Sequence, residues 1–524
     1  MRNFFKHLWL RRWFRGCVWF TVTLFTVLIL VRQYVGWSGA RRWAEVRQML
    51  AQEGESLDFR EIAPDAVPDE ENFCAIPPLK DLASSSGQKD DKSDLNLKFI
   101  RLVKAALPDS DSKAGPRPKF LQGASLGKAT DMKALADWFR KEGSLPAPPD
   151  SGNPAGDVLA ALSGKDGLVS ELALGLSRPE SQWTPAWKTR VLTEPLYNTP
   201  LPYYSVAKGL ITMLCLRSAA AAGAGDAAQA QESVLIALRI NQAYVREPFL
   251  IGTLVACAGS TVISGAAWEL CDTHSGTAED FRALQEALSK FDYRASYLYA
   301  RRSELADNTD AIAYMERTRD LSLLQQINFG PSQNGIASAA LRIIPDGWFD
   351  GNLAAIAGWN FDYGIKPLRD AGFPELLAKQ KELEALLIEQ MSELYRHPGE
   401  SLALIAVPSL TAANSRVVYA QSIVNETIAA CALERYRIEH NSYPDTLQAA
   451  NRPGEKSIPL DVLSGKPMGY RKTADGRYAL WCVSFDGVDH GGQRVLDQQH
   501  PENTKFADPK YSGDWVWDFP NGTN

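Results

Sequence analysis

Residues 16–31, GCVWFTVTLFTVLILV, carry no charged side chain, and no other feature constrains the chain as much. Sixteen residues are slightly short of the roughly 20 needed to cross a bilayer core. Trp13 and Phe14 before the run, and Tyr34, Val35 and Trp37 after it, lengthen the span if Arg15 and Arg32 snorkel to the two surfaces. Five Lys or Arg precede the run, which by the positive-inside tendency keeps the N-terminus in the cytoplasm. The expectation is a single-pass signal anchor over 16–37 in the inner membrane, a basic cytoplasmic tail over 1–15, and a periplasmic bulk. A cleaved signal peptide competes with it, using SGA at 38–40. The length of the run and the helical ARRWAEVRQMLAQEG directly after it oppose cleavage.

Charge is split along the chain. Residues 1–42 hold eight Lys or Arg and no acid, so a net charge of −6 leaves −14 on the remainder. An acidic body lacks the clustered positive field that nucleic acid requires, which excludes that partner class. At 524 residues the chain exceeds one ordinary core and predicts two to four units. Of the seven cysteines none forms a C-x-x-C pair and none has Cys/His metal spacing, so buried free thiols are expected.

Residues 38–120 read as a helix followed by a Pro-rich and polar linker. Trp43, Val46 and Leu50 form a helical stripe that Gly54 ends, and the polar stretches 84–94 and 108–118 follow. Residues 121–400 read as a helical body, a bundle or an irregular solenoid. In it Thr130 is a candidate N-cap, Gly143 a stop and Asp226 a cap, and Pro248 marks a helix start. Helices are expected at 277–291, 297–320 and 374–397, with Gly, Asn and Pro breaking the pattern over 329–373. VACAGSTVISGAAW offers only about 14 uncharged residues and predicts a buried core helix rather than a second span.

Residues 401–524 form an α+β module. Val417, Ala420, Val424, Ile428, Ala432 and Tyr436 make an apolar stripe, Asn441 suits a left-handed helix end, and Tyr443 before Pro444 must be extended. Asp475–Gly476 between two β-rich runs signals a hairpin. The order ALERYRIEHNSYPDTL, IPLDVLSGKPMGYRKTADGRYAL, FDGVDHGG and GDWVWDFP resembles the globular head of the type II secretion pseudopilins, the major one above all. The resemblance covers about 105 residues. It departs at the N-terminus, where Gly16 precedes CVWFT with no glutamate at the fifth position, so pseudopilin processing is not expected. The rest of the chain resembles uncharacterised exported bacterial proteins of this architecture.

The pseudopilin resemblance implies a calcium-binding acidic loop, and Asp486 and Asp489 are the matching residues. Calcium takes six or more oxygens, so backbone carbonyls and Ser484 or Asp508 would have to supplement them. A solvent-exposed Asp-Gly turn is the competing reading. GASLGKAT at 123–130 fails as a phosphate loop, with Gly123 and Gly127 one residue too close and Ala129 in the magnesium position. There is no G-x-S-x-G and no H-E-x-x-H. His274, His397, His440, His490 and His500 are scattered, and PDEE at 68–71 reads as an exposed acidic turn. The expected function is a membrane-anchored exported scaffold or binding protein without a catalytic motif. The alternatives are an accessory component of a type II secretion or pilus-like machine, partnering other envelope proteins, and a hydrolase whose site in the helical body is assembled from distant segments.

Overall fold

The computed structural model describes residues 12–80, 107–108, 111–112, 114–183, 187–190, 201, 203–319, 344–393, 398–497 and 504–519. Most of the basic tail, the polar stretch 84–94, His397 and His500 lie outside them. The longer helices are α1 (Arg12–Gln52), α2 (Met132–Glu142), α3 (Pro154–Leu162), α4 (Asp166–Ala173), α5 (Tyr203–Ala224), α6 (Ala227–Val245), α7 (Leu250–Asp272), α8 (Ala278–Leu288), α9 (Tyr293–Thr318), α10 (Asp346–Asn360), α11 (Lys366–Asp370), α12 (Phe373–Ser392) and α13 (Ala403–His440). One antiparallel sheet joins β1 (Gly469–Lys472), β2 (Tyr478–Val483) and β3 (Asp514–Trp517) in that order.

The chain divides into two compact units, each discontinuous in sequence, where the composition pattern reads as consecutive segments. Unit 1 comprises Met1–Glu61, Leu305–Lys366 and Lys379–Leu410. Unit 2 comprises Ile62–Glu304, Pro367–Ala378 and Thr411–Asn524.

Unit 1 is built on α1. The helix is long and apolar enough to cross a membrane, and its apolar segment is wholly exposed. Its later half packs against α10, with Gly39, Trp43 and Leu50 buried on one face. That crossing is closed at the level of the backbone. A Cβ on Gly39 would stand 1.8 Å from the Gly347 carbonyl oxygen, and one on Gly347 would stand 2.3 Å from that of Val35. Residues 346–370, read from the sequence as a broken region, are helical throughout, through a π-turn at Phe361–Ile365. Pro367 accounts for the widened turn, since its ring excludes the carbonyl four residues back and it offers no N–H. A second core joins Leu383 and Leu387 to Leu404 and Val407, with Trp359 and Tyr363 packed on it.

In unit 2, α5, α6 and α7 pack against one another pairwise, the pattern of a bundle rather than of a nearest-neighbour solenoid. α5 and α7 are also long and apolar enough to span a membrane, but both are mostly buried within the fold. VACAGSTVISGAAW lies inside α7 as a core segment. Its small residues admit a polar side chain: the Asn241 amide donates to the Ala256 carbonyl at 3.0 Å and Ser260 Oγ at 3.1 Å. A Cβ on Gly259 would stand 2.1 Å from Asn241 Oδ1. Asp226 caps α6, Gly143 ends α2 at φ +81°, and Thr277 forms a full capping box on α8. Two expected helix starts differ. Asp131 caps α2 in place of Thr130, whose hydroxyl faces Glu269 instead, and α7 begins at Leu250, beyond Pro248.

The C-terminal module is part of the same core. α13 is buried nearly all round between residues 411 and 435, and β2 is buried at every position. Trp268 of α7 stacks on Phe519 and donates to the Asp518 carbonyl at 2.9 Å. Gly123 permits this: its Cβ would lie 2.1 Å from the Trp268 ring, so GASLGKAT serves packing. Asp475–Gly476 turns the β1–β2 hairpin, with Gly476 at φ +80°. The helix–Tyr–Pro step also has a physical explanation. Asn441 takes φ +55° and ends α13, which returns the chain so that the Tyr443 hydroxyl donates to the fully buried Glu434.

Candidate functional site

A cleft of about 900 Å³ opens within unit 2. One wall is α8, the floor is the polar face of α13, and the opposite wall is the loop 454–465. Polar residues on α13 fix its shape. Gln421 accepts the Tyr293 backbone N–H at 2.7 Å and donates to Asn425 at 2.8 Å. Asn425 in turn donates to the Leu460 carbonyl at 3.1 Å, which ties the loop to the helix. Arg435, only 3% exposed, grips Glu455 with two hydrogen bonds of 2.6 Å and donates to Gln285 Oε1 at 2.9 Å. The Arg435 guanidinium holds the Glu455 carboxyl below the usual carboxylate range. A bidentate pair of this kind fixes orientation as well as charge.

The cleft surface carries both signs beside apolar side chains. Arg282 lies between Glu279 and Glu286, and Arg294 caps the Leu368 and Arg369 carbonyls at 2.9 Å each. Lys456 stands exposed on the loop and makes no ion pair among the described residues. Phe291, Ile428 and Leu463 supply apolar surface. Sequence reading missed this cleft. Its signal was the run of polar side chains Gln421, Asn425 and Arg435 on a helix otherwise committed to a core.

The acidic loop is ordered by its own backbone. Asp486 accepts N–H groups from Val488 at 3.1 Å and Gly513 at 3.3 Å, and His490 Nε2 lies 2.9 Å from it. Burial opposes ionisation of Asp486, but these donors outweigh it and hold the carboxyl below its ordinary range. Asp489 accepts the Gly491 N–H at 2.8 Å and the Trp481 indole at 2.9 Å, and both lower its pKa. Among the described residues no group of three or more His, Cys, Asp or Glu is placed to hold a metal ion. Ser484 is buried, and Asp508 accepts the Lys510 N–H. Cys17 is exposed and the other six thiols are buried and free.

Among the described residues two His–carboxylate pairs form, His490 with Asp486 and His274 Nδ1 with Glu434 at 3.3 Å. Neither histidine lines the cleft, and among the described residues no Ser, Thr or Cys side chain is bonded to either imidazole. His440 closes α13 with Nδ1 3.0 Å from the Tyr436 carbonyl oxygen. In PDEE, Asp69 pairs with Lys80 on the surface.

A buried carboxylate makes stability depend on pH. Burial pushes Glu269 up to about 7, against the opposing hydrogen bonds from the Thr130 N–H (2.8 Å) and hydroxyl (2.6 Å). The folded state therefore keeps a proton that the unfolded chain releases above its ordinary value of 4.5. Stability from this group is full below about 4.5 and is lost as pH rises through about 7. Glu269→Gln keeps the acceptor oxygen and is expected to gain up to about 3 kcal/mol at pH 8 and nothing at pH 4. Melting curves of both proteins across that range check it, and a pH-independent difference would refute the assignment.

Comparison with family models, with curated proteins and with solved structures finds no match.

Proposed function

We propose that the chain is a membrane-anchored exported binding protein, held by α1 with its N-terminus in the cytoplasm and its bulk in the periplasm. In this reading the unit 2 cleft takes an extended peptide segment of an envelope protein. The observation that carries it is the composition of the cleft: arginines, carboxylates and Lys456, which makes no ion pair among the described residues, surround the polar face of α13 beside the apolar Phe291, Ile428 and Leu463. A polypeptide segment offers both signs, backbone amides and apolar side chains to such walls. Small-molecule sites instead concentrate a few polar groups in a mainly apolar enclosure.

A photo-crosslinking residue at Leu460, on the loop that walls the cleft and 53% exposed, tests it in cells. The expected result is a discrete protein adduct that Lys456→Glu abolishes and that a probe at Val488 does not give. An adduct indifferent to Lys456→Glu would remove the cleft from the binding surface. Substitution is required here because α13 shares the core of unit 2, so excising the module would unfold what is being tested.

A second reading makes the chain an accessory component of a type II secretion or pilus-like machine, docking through the C-terminal module. The long helix, the Asn441 turn and the antiparallel sheet favour it, in agreement with the resemblance to pseudopilin heads. Secretion-machine subunits in the adduct would select this reading over other envelope partners.

For the acidic loop, calcium is expected to leave the melting temperature unchanged, because Asp486 and Asp489 already accept N–H donors. A calcium-dependent rise that Asp486→Ala abolishes would instead assign the ion to these residues.

A further inference from the structure

α1 runs unbroken for 41 residues, or about 60 Å at 1.5 Å per residue, about twice the thickness of a bilayer hydrocarbon core. Large apolar side chains from Trp19 to Val31 are exposed, and protein cover begins at Val35. No linker separates the exposed stretch from the folded part. The first turn of α10 meets α1 there, since a Cβ on Gly347 would stand 2.5 Å from the Gly36 Cα. Gly36 lies between Tyr34 and Trp37, both more than 60% exposed, the aromatic pair expected at a membrane–water boundary. It is four residues, or about 6 Å, beyond Arg32, a rise close to the headgroup depth on one side of a bilayer.

The end of unit 1 at this level gathers basic and aromatic side chains beside the carboxylates of Glu316, Asp346 and Asp350. Arg319 donates to the Ile344 carbonyl at 3.0 Å, pairs with Asp346 and lies 5.0 Å over the Phe349 ring. This joins the last turn of α9 to the first turn of α10. Arg317 is exposed two residues before Arg319, and Trp348 is half-buried beside Gly347. A cation and an indole at one level match the phosphate and glycerol layer, where both are enriched.

We propose that unit 1 is seated directly on the bilayer, with the Arg317–Arg319 turn and Trp348 in the phospholipid headgroup layer. The partner is the lipid surface, and the seat is fixed by the glycine crossing rather than by a tether. The inference rests on the anchor reading of α1, and the experiment separates the two. The full chain, with Cys17→Ser, is reconstituted in phosphatidylethanolamine–phosphatidylglycerol vesicles. Spin labels are placed singly by Leu28→Cys, Arg317→Cys and Gln48→Cys, and collision with oxygen is compared with collision with a water-soluble nickel chelate. Leu28 should report the hydrocarbon, Gln48 water, and Arg317 an accessibility shifted from nickel towards oxygen relative to Gln48. Arg317 matching Gln48 while Leu28 stays deep would overturn the seating alone. A water-like Leu28 would overturn the anchor and the seating together.

Discussion

Gly39→Leu is expected to destabilise unit 1 by about 4 kcal/mol or more, among the larger effects a single substitution produces. The reason is geometric. The Gly39 Cβ would stand 1.8 Å from a carbonyl oxygen and 2.8 Å from a Cα, both of Gly347, and neither is the movable end of a side chain. Relief would require α1 and α10 to separate, stripping cover from Trp43 and Leu50. Gly36→Ala is the informative control. It lies one turn away on the same helix, yet its Cβ would meet nothing within 4 Å. That variant should melt with the parent or slightly above it, since alanine favours a helix by up to about 1 kcal/mol over glycine. Melting temperature and protease resistance of the purified full chain measure both. Equal stability of the two variants would mean that the helices do not cross at their glycines.

The second large effect is expected at the join between α13 and the sheet. Glu434 is fully buried, accepts the Tyr443 hydroxyl, pairs with Arg437 at 2.8 Å and lies 3.3 Å from His274 Nδ1. Glu434→Ala removes one acceptor from three groups at once and should lose about 4 kcal/mol, as when one partner of a buried pair is deleted. Tyr443→Phe removes only a hydroxyl and leaves Glu434 its other partners, so about 1 kcal/mol is expected. Glu434→Gln, which keeps an acceptor, should fall between them. Urea unfolding of the three variants tests the order. A Glu434→Ala no worse than Tyr443→Phe would show that the tyrosine, rather than the shared acceptor, holds the join.

Helix α13 shows what the sequence could and could not convey. Its apolar stripe, the Asn441 stop and the Asp475–Gly476 hairpin follow from local chemistry, because periodicity, a left-handed residue and a two-residue turn act within a few positions. The burial of α13 on its other faces was hidden, because Asn425 and Glu426 are buried with partners contributed by other segments. The same reason conceals the cleft, whose lining runs from Arg282 to Gly465. It also conceals the division into units, since the glycines at 39 and 347 acquire meaning only when they meet. Where local signals competed, the choice was decided by a distant partner as well: Thr130 could cap α2, but Asp131, directly before Met132, does so and frees the threonine for Glu269. Pro367 reads as a break, yet a π-turn absorbs it without ending the helix.

The central claim, a folded body held outside the cytoplasmic membrane by one helix, is tested most directly by thiol labelling of intact spheroplasts. In a Cys17→Ser background, Lys456→Cys stands at the exposed rim of the cleft and Lys6→Cys lies in the basic tail. A membrane-impermeant maleimide is predicted to label position 456 in sealed spheroplasts and position 6 only after the membrane is opened. Labelling of position 6 in sealed spheroplasts, with position 456 protected, would contradict the account.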